Sequence, residues 1–288
     1  MNKSKTAILV FSSLTLLYFL SIIHRVGIAV IAHDLMVEFS ADASLMGLMS
    51  STYFYPYAAA QIPIGIMLDR IGIRKTVAIL SSVACIGGFV FATGGDILTL
   101  SLGRALLGFG VGGFYVSALK AIAVWFDSRR FATMTGLLTS IANVGGIVAT
   151  TPLALLTLYI GWRGSFLAIF AMMVAGTVIA WFSIKEDNNR SFKSTNTITA
   201  DLKKVFTNRE FLKILPLPFL IYGLFIGFQG LWGGPFLMDV YGMDKATSGF
   251  YLMFIAIGFT ICGPIAGFIS DKVLRRRSQK ARCLSWVK

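Results

Sequence analysis

Gly65-Ile66-Met67-Leu68-Asp69-Arg70-Ile71-Gly72-Ile73-Arg74-Lys75 decides the fold of this chain, because its pattern occurs twice. The second copy is Gly267-Phe268-Ile269-Ser270-Asp271-Lys272-Val273-Leu274-Arg275-Arg276-Arg277. Gly65 and Gly267, Asp69 and Asp271, Arg70 and Lys272, and Arg74 and Arg276 are all 202 positions apart. One offset for four positions marks a duplicated unit rather than two unrelated basic loops. Each copy directly follows a long apolar run.

Eight such runs cover most of the chain, at 7–31, 45–68, 76–94, 97–124, 132–160, 164–184, 212–238 and 246–270. A helix needs about 20 mainly apolar residues to cross the hydrocarbon core of a bilayer. The two copies follow the second and the eighth run, so the repeating unit is six spans. Composition agrees. Of 288 residues 56% are hydrophobic and 14% charged, where soluble domains carry about 25% charged residues; the mean hydropathy is +0.76. All seven prolines lie inside the apolar runs, where a bilayer helix tolerates them better than a soluble one. The net charge of +13 would suit nucleic acid if it formed a stripe on a polar surface. Here the bases sit between apolar runs, so no nucleic-acid partner is expected; the partner is the lipid bilayer. Cys85, Cys262 and Cys283 show no metal or CxxC spacing, and Cys85 and Cys262 are packing residues by position.

The basic residues set the orientation. Of 26 lysines and arginines, 20 fall on one side when the N-terminus is placed in the cytoplasm, 2 (Arg163 and Lys245) on the other, and 4 within or at the ends of spans. The positive-inside bias therefore places both termini in the cytoplasm, in a bacterial inner membrane. Lys3 and Lys5 precede an apolar run with no convincing cleavage site, which predicts an uncleaved first span. The polar stretch from Lys185 to Glu210 separates six spans from two and reads as a flexible linker. The expected organisation is a six-helix bundle over 1–184, a cytoplasmic linker over 185–211, and a partial second bundle with a basic tail over 212–288.

The duplicated loop resembles the signature G-x-x-x-D-R/K-x-G-R-R/K of the major facilitator superfamily, found between its second and third helices. Arg104 with Gly108, Gly110, Gly112 and Gly113 resembles the family's second motif. Tyr18 to Arg25, Gln61-Ile62-Pro63 and Gly230 to Pro235 are similar to its sugar-phosphate-permease-like branch. The resemblance implies an all-α membrane protein with a complete six-helix N-terminal half plus two helices of the C-terminal half. It also implies secondary active transport by alternating access, with no cofactor. Gly65, Asp69, Arg70 and Arg74, with Gly267, Asp271 and Lys272, would form the conformational latch between the halves. Gly65 would let helices approach, and Asp69 would accept bonds from the amides opening a facing helix. Arg104, Gly108 and Gly112 would serve helix packing and coupling. Family members typically have twelve spans, so the chain is expected to be truncated after the eighth and at best weakly active alone. Asp69 would then lack its usual partner, while Asp271 would find one near span five.

All thirteen acids lie in loops or at span ends; the embedded charges are Arg25, Arg104 and Lys120. At 1.5 Å per residue, Arg25 and Arg104 each lie on the order of 10 Å below the outer face and are expected to share a central cavity. A guanidinium in a cavity suits a carboxylate or phosphate. The expected substrate is a small organic anion held by Arg25, with His24, Gln229, Tyr53 and Trp232 as further candidates. The alternative for Arg25 is snorkelling to the outer interface, and the same is expected of Lys120 at the inner one. His24 titrates near neutral pH, yet a histidine bonded to a backbone carbonyl fits as well. A coupling ion is left open, since no buried acid is present to carry a proton. The Gly-Pro antiporter motif is absent from span five, where Gly145-Gly146 precedes Pro152 at another spacing.

An enzyme would need a nucleophile, base or metal group. The sequence has no HExxH, GxSxG or Walker loop, and two histidines, His24 and His33, make no histidine-rich metal site. A non-transporting receptor or a vestigial fragment stays open as an alternative, as do amino acids or small peptides as substrates.

Overall fold

The computed structural model describes residues 3–184 and 207–285, which are helical with no strand among them. Residues 185–206 of the expected linker, and the side chains of the basic tail from 273 onward, lie outside the described residues. Six of the described helices are long and apolar enough to cross a membrane.

The first span is longer than 7–31. Helix α1 (Lys3–Val26) and helix α2 (Ile28–Glu38) meet at a break at Gly27. A side chain at Gly27 would meet Leu153 at 2.8 Å, so the glycine lets span five pack against the break. Helix α3 (Ala43–Arg70) begins where the Asp42 carboxylate accepts a bond from Leu45 N at 2.7 Å. It ends at Gly72, whose φ of 82° turns the chain into helix α4 (Gly72–Thr93). That left-handed conformation explains the second glycine of the repeated loop.

Helix α5 (Ile97–Val111) is capped by Asp96, which accepts from Thr99 N at 2.8 Å, and it continues across Gly112-Gly113 into helix α6 (Phe114–Trp125). A short 3-10 turn (Ser128–Arg130) leads into helix α7 (Phe131–Val148). Helix α8 (Thr151–Ser183) folds back on itself at Gly161, where φ is 71°. Its first limb packs at Gly27 through Leu153, and its second limb runs down the first span from Glu38 of α2, bonded by Trp162, to Leu17 of α1 beside Gly176. The expected fifth span is thus α7 plus the first limb, and the sixth is the second limb.

Span seven consists of helices α9 (Arg209–Ile214) and α10 (Pro216–Gly227), a π turn (Phe228–Trp232) and helix α11 (Gly233–Tyr241). Pro235 has no N–H to give the carbonyl four residues back, and a wide turn just before it absorbs the mismatch. Helix α12 (Lys245–Ser285) runs past the expected end of span eight at 270.

Glycine sets the closest approaches. A Cβ at Gly108 would lie 1.9 Å from the Tyr53 carbonyl, one at Gly110 2.5 Å from Ala84 N, and one at Gly103 2.6 Å from Phe91 N. Helix α5 therefore touches α3 and α4 backbone to backbone, as in bilayer bundles where small residues replace a hydrophobic driving force. The second half joins the first along α7 and α12. Gly136 faces Gly263, Gly267 faces Ala132, and the Ser140 hydroxyl donates to the Thr260 carbonyl at 2.7 Å. Outward positions such as Leu158, Phe182 and Leu224 are exposed and apolar, which suits lipid rather than water.

Candidate functional site at the centre of the bundle and at its basic end

Arg25 lies in the last turn of α1, just before the break at Gly27. Its Nη1 donates to the Tyr222 hydroxyl of α10 at 3.2 Å, a bond that crosses from the first half to the second. Tyr18, Tyr53 and Tyr57 are its other electrostatic neighbours. Tyr53 and Tyr57 lie one helical turn apart on α3, with ring centroids 6.2 Å apart, and Tyr18 faces Tyr115 at 5.3 Å. Tyr18 precedes Arg25 by seven residues, two helical turns, so both occupy one face of α1. Among the described residues this cluster contains no acid. The site offers one guanidinium and several phenol hydroxyls, all able to donate.

Arg104 does not share that cavity. It is 1% exposed and sits behind Tyr53, with its guanidinium carbon 4.4 Å from the ring centroid. Its Nη1 donates to the His24 carbonyl at 3.0 Å. That carbonyl lies in the last turn of α1, where the helix dipole favours a cation. The buried charge is thus met by a helix end and an aromatic face instead of an acid. His24 also turns away from Arg25. It is fully buried against Phe166, with ring centroids 5.9 Å apart, and beside Gly88, and neither ring nitrogen has a bonding partner. His24 does not join the Arg25 cluster, because the ring leaves α1 on the side facing α4 and α8. Trp232 is half exposed at the end of the π turn. Gln229 is buried and lines a cavity of about 200 Å³ with Val26, Val30, Thr151 and Ser248.

The two copies of the loop have different partners. The Asp271 carboxylate accepts bonds from Thr133 N at 2.8 Å, from Ala132 N at 3.3 Å and from the Thr133 hydroxyl. Those amides open α7, whose own N-cap residue, Arg130, provides no acceptor. The first N–H groups of a helix have no partner within it. Elsewhere this chain supplies one locally, through Asp42 and Asp96; at α7 the acceptor comes from 138 positions away. Among the described residues Asp69 caps no helix end. It pairs with Lys120 of α6 at 2.7 Å, and Lys120 also donates to the Leu68 carbonyl at 2.6 Å. Lys120 therefore does not simply reach for the interface, and Asp69 meets a side chain of its own half in place of a facing helix.

Gly267 and Gly65 differ likewise. A Cβ at Gly267 would lie 2.5 Å from the Ala132 carbonyl, whereas one at Gly65 would meet nothing within 4 Å. The close approach expected at Gly65 is not made among the described residues; at that turn no described helix packs on α3 as α7 packs on α12. Arg70 and Lys272 are exposed, and Arg74 stacks on Trp181 at 4.3 Å. Gly112 accepts through its carbonyl from Gln61 Nε2 at 3.1 Å, which ties α3 to the end of α5.

At the opposite end a clamp joins three elements. Glu38 of α2 pairs with Arg163, accepts from Trp162 Nε1 at 2.7 Å, and Arg163 Nη2 donates to the Gly94 carbonyl at 2.7 Å. Partial burial pushes the Glu38 carboxyl up, but the bonds from Trp162 and Arg163 outweigh it and hold the group below its ordinary range. Sequence alone counted Arg163, with Lys245, as an outer charge and gave it no partner. Tyr222, the pairing of Lys120 with Asp69 and this clamp were not legible in the sequence; only the seven-residue spacing of Tyr18 and Arg25 offered a signal.

A polytopic helical membrane protein with a parallel repeat, an interhalf helix cap and an embedded arginine is the class these features define. The family profile of the Major Facilitator Superfamily matches residues 14–286, and the chain belongs to that superfamily. It is 25% identical to the probable sulfoacetate transporter SauU of Cupriavidus necator, over 96% of this chain and 67% of that protein. The hexuronate transporter of Bacillus subtilis is 23% identical over 97% of this chain and 67% of its own length. The multidrug resistance protein MdtL of Shigella flexneri is 29% identical over 93% and 68%. A bacterial homologue of the human lysosomal transporter Spinster, crystallised inward-facing and unoccupied, superposes with a TM-score of 0.67 at 21% identity, over 94% of this chain and 64% of that one. The chain spans about two-thirds of the length of the relatives it matches.

Proposed function

We propose that the chain takes part in transport of a small organic anion by alternating access, with Arg25 as the anion-binding group. The Arg25–Tyr222 bond across the two halves carries this reading. A guanidinium whose hydrogen-bond partner among the described residues is a neutral phenol keeps its charge available, and an incoming carboxylate or sulfonate offers it a stronger, charge-assisted partner. Tyr18, Tyr53 and Tyr57 surround the same charge. The relatives named for sulfoacetate and hexuronate, both organic anions, support the substrate class.

In this scheme Asp271 on the start of α7 closes one end of the interface between the halves, and Asp69 with Lys120 holds the equivalent loop of the first half. The basic end faces the cytoplasm of a bacterial cell, with both termini there. That orientation is supported by the 20 of 26 lysines and arginines assigned to it.

The test is equilibrium binding of sulfoacetate, glucuronate and glucose to the purified chain in lipid nanodiscs, with uptake into proteoliposomes alongside. Binding of the two anions but not of glucose is expected, lost in R25A and weakened in R25K. Unchanged anion binding by R25A would remove Arg25 from the site.

A further inference from the structure

The cavity that contains Gln229 is the next layer outward from Arg25. Ala29 and Val30, which line it, follow Arg25 by four and five residues on the first span. Gln229 follows Tyr222 by seven residues, two helical turns and about 10 Å along span seven. The bonded pair Arg25–Tyr222 therefore forms one layer between these spans, and the cavity begins in the layer beyond it.

Its lining is mainly apolar, with Val26, Val30, Leu155, Met238 and Leu252 among its walls. A volume of about 200 Å³ holds a body the size of a benzene ring, since an apolar cavity of about 150 Å³ takes up benzene. Four polar residues, Thr150, Thr151, Gln229 and Ser248, interrupt this lining, and the Thr150 hydroxyl is already bonded to the Ile147 carbonyl at 2.7 Å. Ser248 is 2% exposed and its hydroxyl has no bonding partner; a ligand atom that bonds it removes a standing penalty. Gln229 is presented by the π turn, a distortion found mostly where a helix serves a function.

We infer that the solute is an amphiphilic monoanion, with its charged head at Arg25 and a compact, mostly apolar body in this cavity bearing one hydrogen-bonding group toward Ser248 and Gln229. This rests on the anion reading of Arg25 and adds the body. A sugar acid fits poorly, because it would press several hydroxyls against aliphatic walls after stripping their water.

The experiment is calorimetric titration of the full chain in nanodiscs with 3-(4-hydroxyphenyl)propionate, 3-phenylpropionate and glucuronate. The hydroxylated aromatic anion is expected to bind at least tenfold more tightly than glucuronate. S248A should cut its advantage over 3-phenylpropionate several-fold, while 3-phenylpropionate itself is unaffected. A154L, which fills the cavity, should weaken both aromatic anions and spare glucuronate; R25A should abolish all three. Glucuronate binding as tightly as the aromatic anions, with R25A still inactive, overturns the inference and leaves the anion site standing. Aromatic anions bound undiminished by A154L also overturn it. Binding that survives R25A overturns both.

Discussion

Replacing Asp271 with alanine removes three bonds at once from the start of α7, at Ala132 N, Thr133 N and the Thr133 hydroxyl. A lost N-cap costs about 1 kcal/mol. The carboxylate's interaction with the helix dipole adds about 0.3–1 kcal/mol, and a bond between a hydroxyl and a charged acceptor about 1.5 kcal/mol or more. Because Arg130 offers no substitute acceptor, D271A is expected to destabilise the chain by about 2–4 kcal/mol. D271N keeps an acceptor oxygen but loses the charge, and about 1 kcal/mol is expected. Unfolding by SDS in mixed micelles, followed by tryptophan fluorescence, measures both. T133V deletes the hydroxyl but keeps the backbone amide. In a double-mutant cycle with D271A it should therefore show a coupling of about 1 kcal/mol or more. D271A within 0.5 kcal/mol of the unmodified chain, or strict additivity with T133V, would refute the cap.

Three further outcomes follow from the packing and the charges. G108A and G267A place a methyl 1.9 and 2.5 Å from backbone oxygens of Tyr53 and Ala132 and should lower the melting temperature by several degrees; G65A, with open space around it, should leave it level or raise it. R104A strips a buried cation from the His24 carbonyl and the Tyr53 ring and should cost about 2–4 kcal/mol in the same SDS unfolding assay, with R104K recovering only part; an unchanged unfolding midpoint would contradict that role. Glu38 has a lowered folded pKa, so its contribution is present above the unfolded value of about 4.3 and is lost as pH falls through the folded one. Melting curves between pH 7 and pH 3 should therefore fall less steeply for E38Q than for the unmodified chain, and parallel curves would contradict the clamp.

The register of 202 between the two loops, the apolar runs and the basic connections were legible without coordinates. Lipid forces every span to satisfy its own backbone, so span positions follow from local composition. The Asp42 and Asp96 caps are equally local, since the acceptor lies beside the helix it caps. The helix opened by Phe131 gave no such sign; its acceptor, Asp271, is supplied by another span, and only the packing of α7 on α12 brings the two together. The identical-looking Gly65 and Gly267 separated for the same reason, because the space around a glycine belongs to its neighbours. Depth along a helix placed Arg25 and Arg104 at one level, but rotation about the helix axis decided that one meets Tyr222 and the other the His24 carbonyl. Sequence carries distance along the chain; which side chains converge across it is a property of helix rotation and contact, and that was decided by tertiary structure alone.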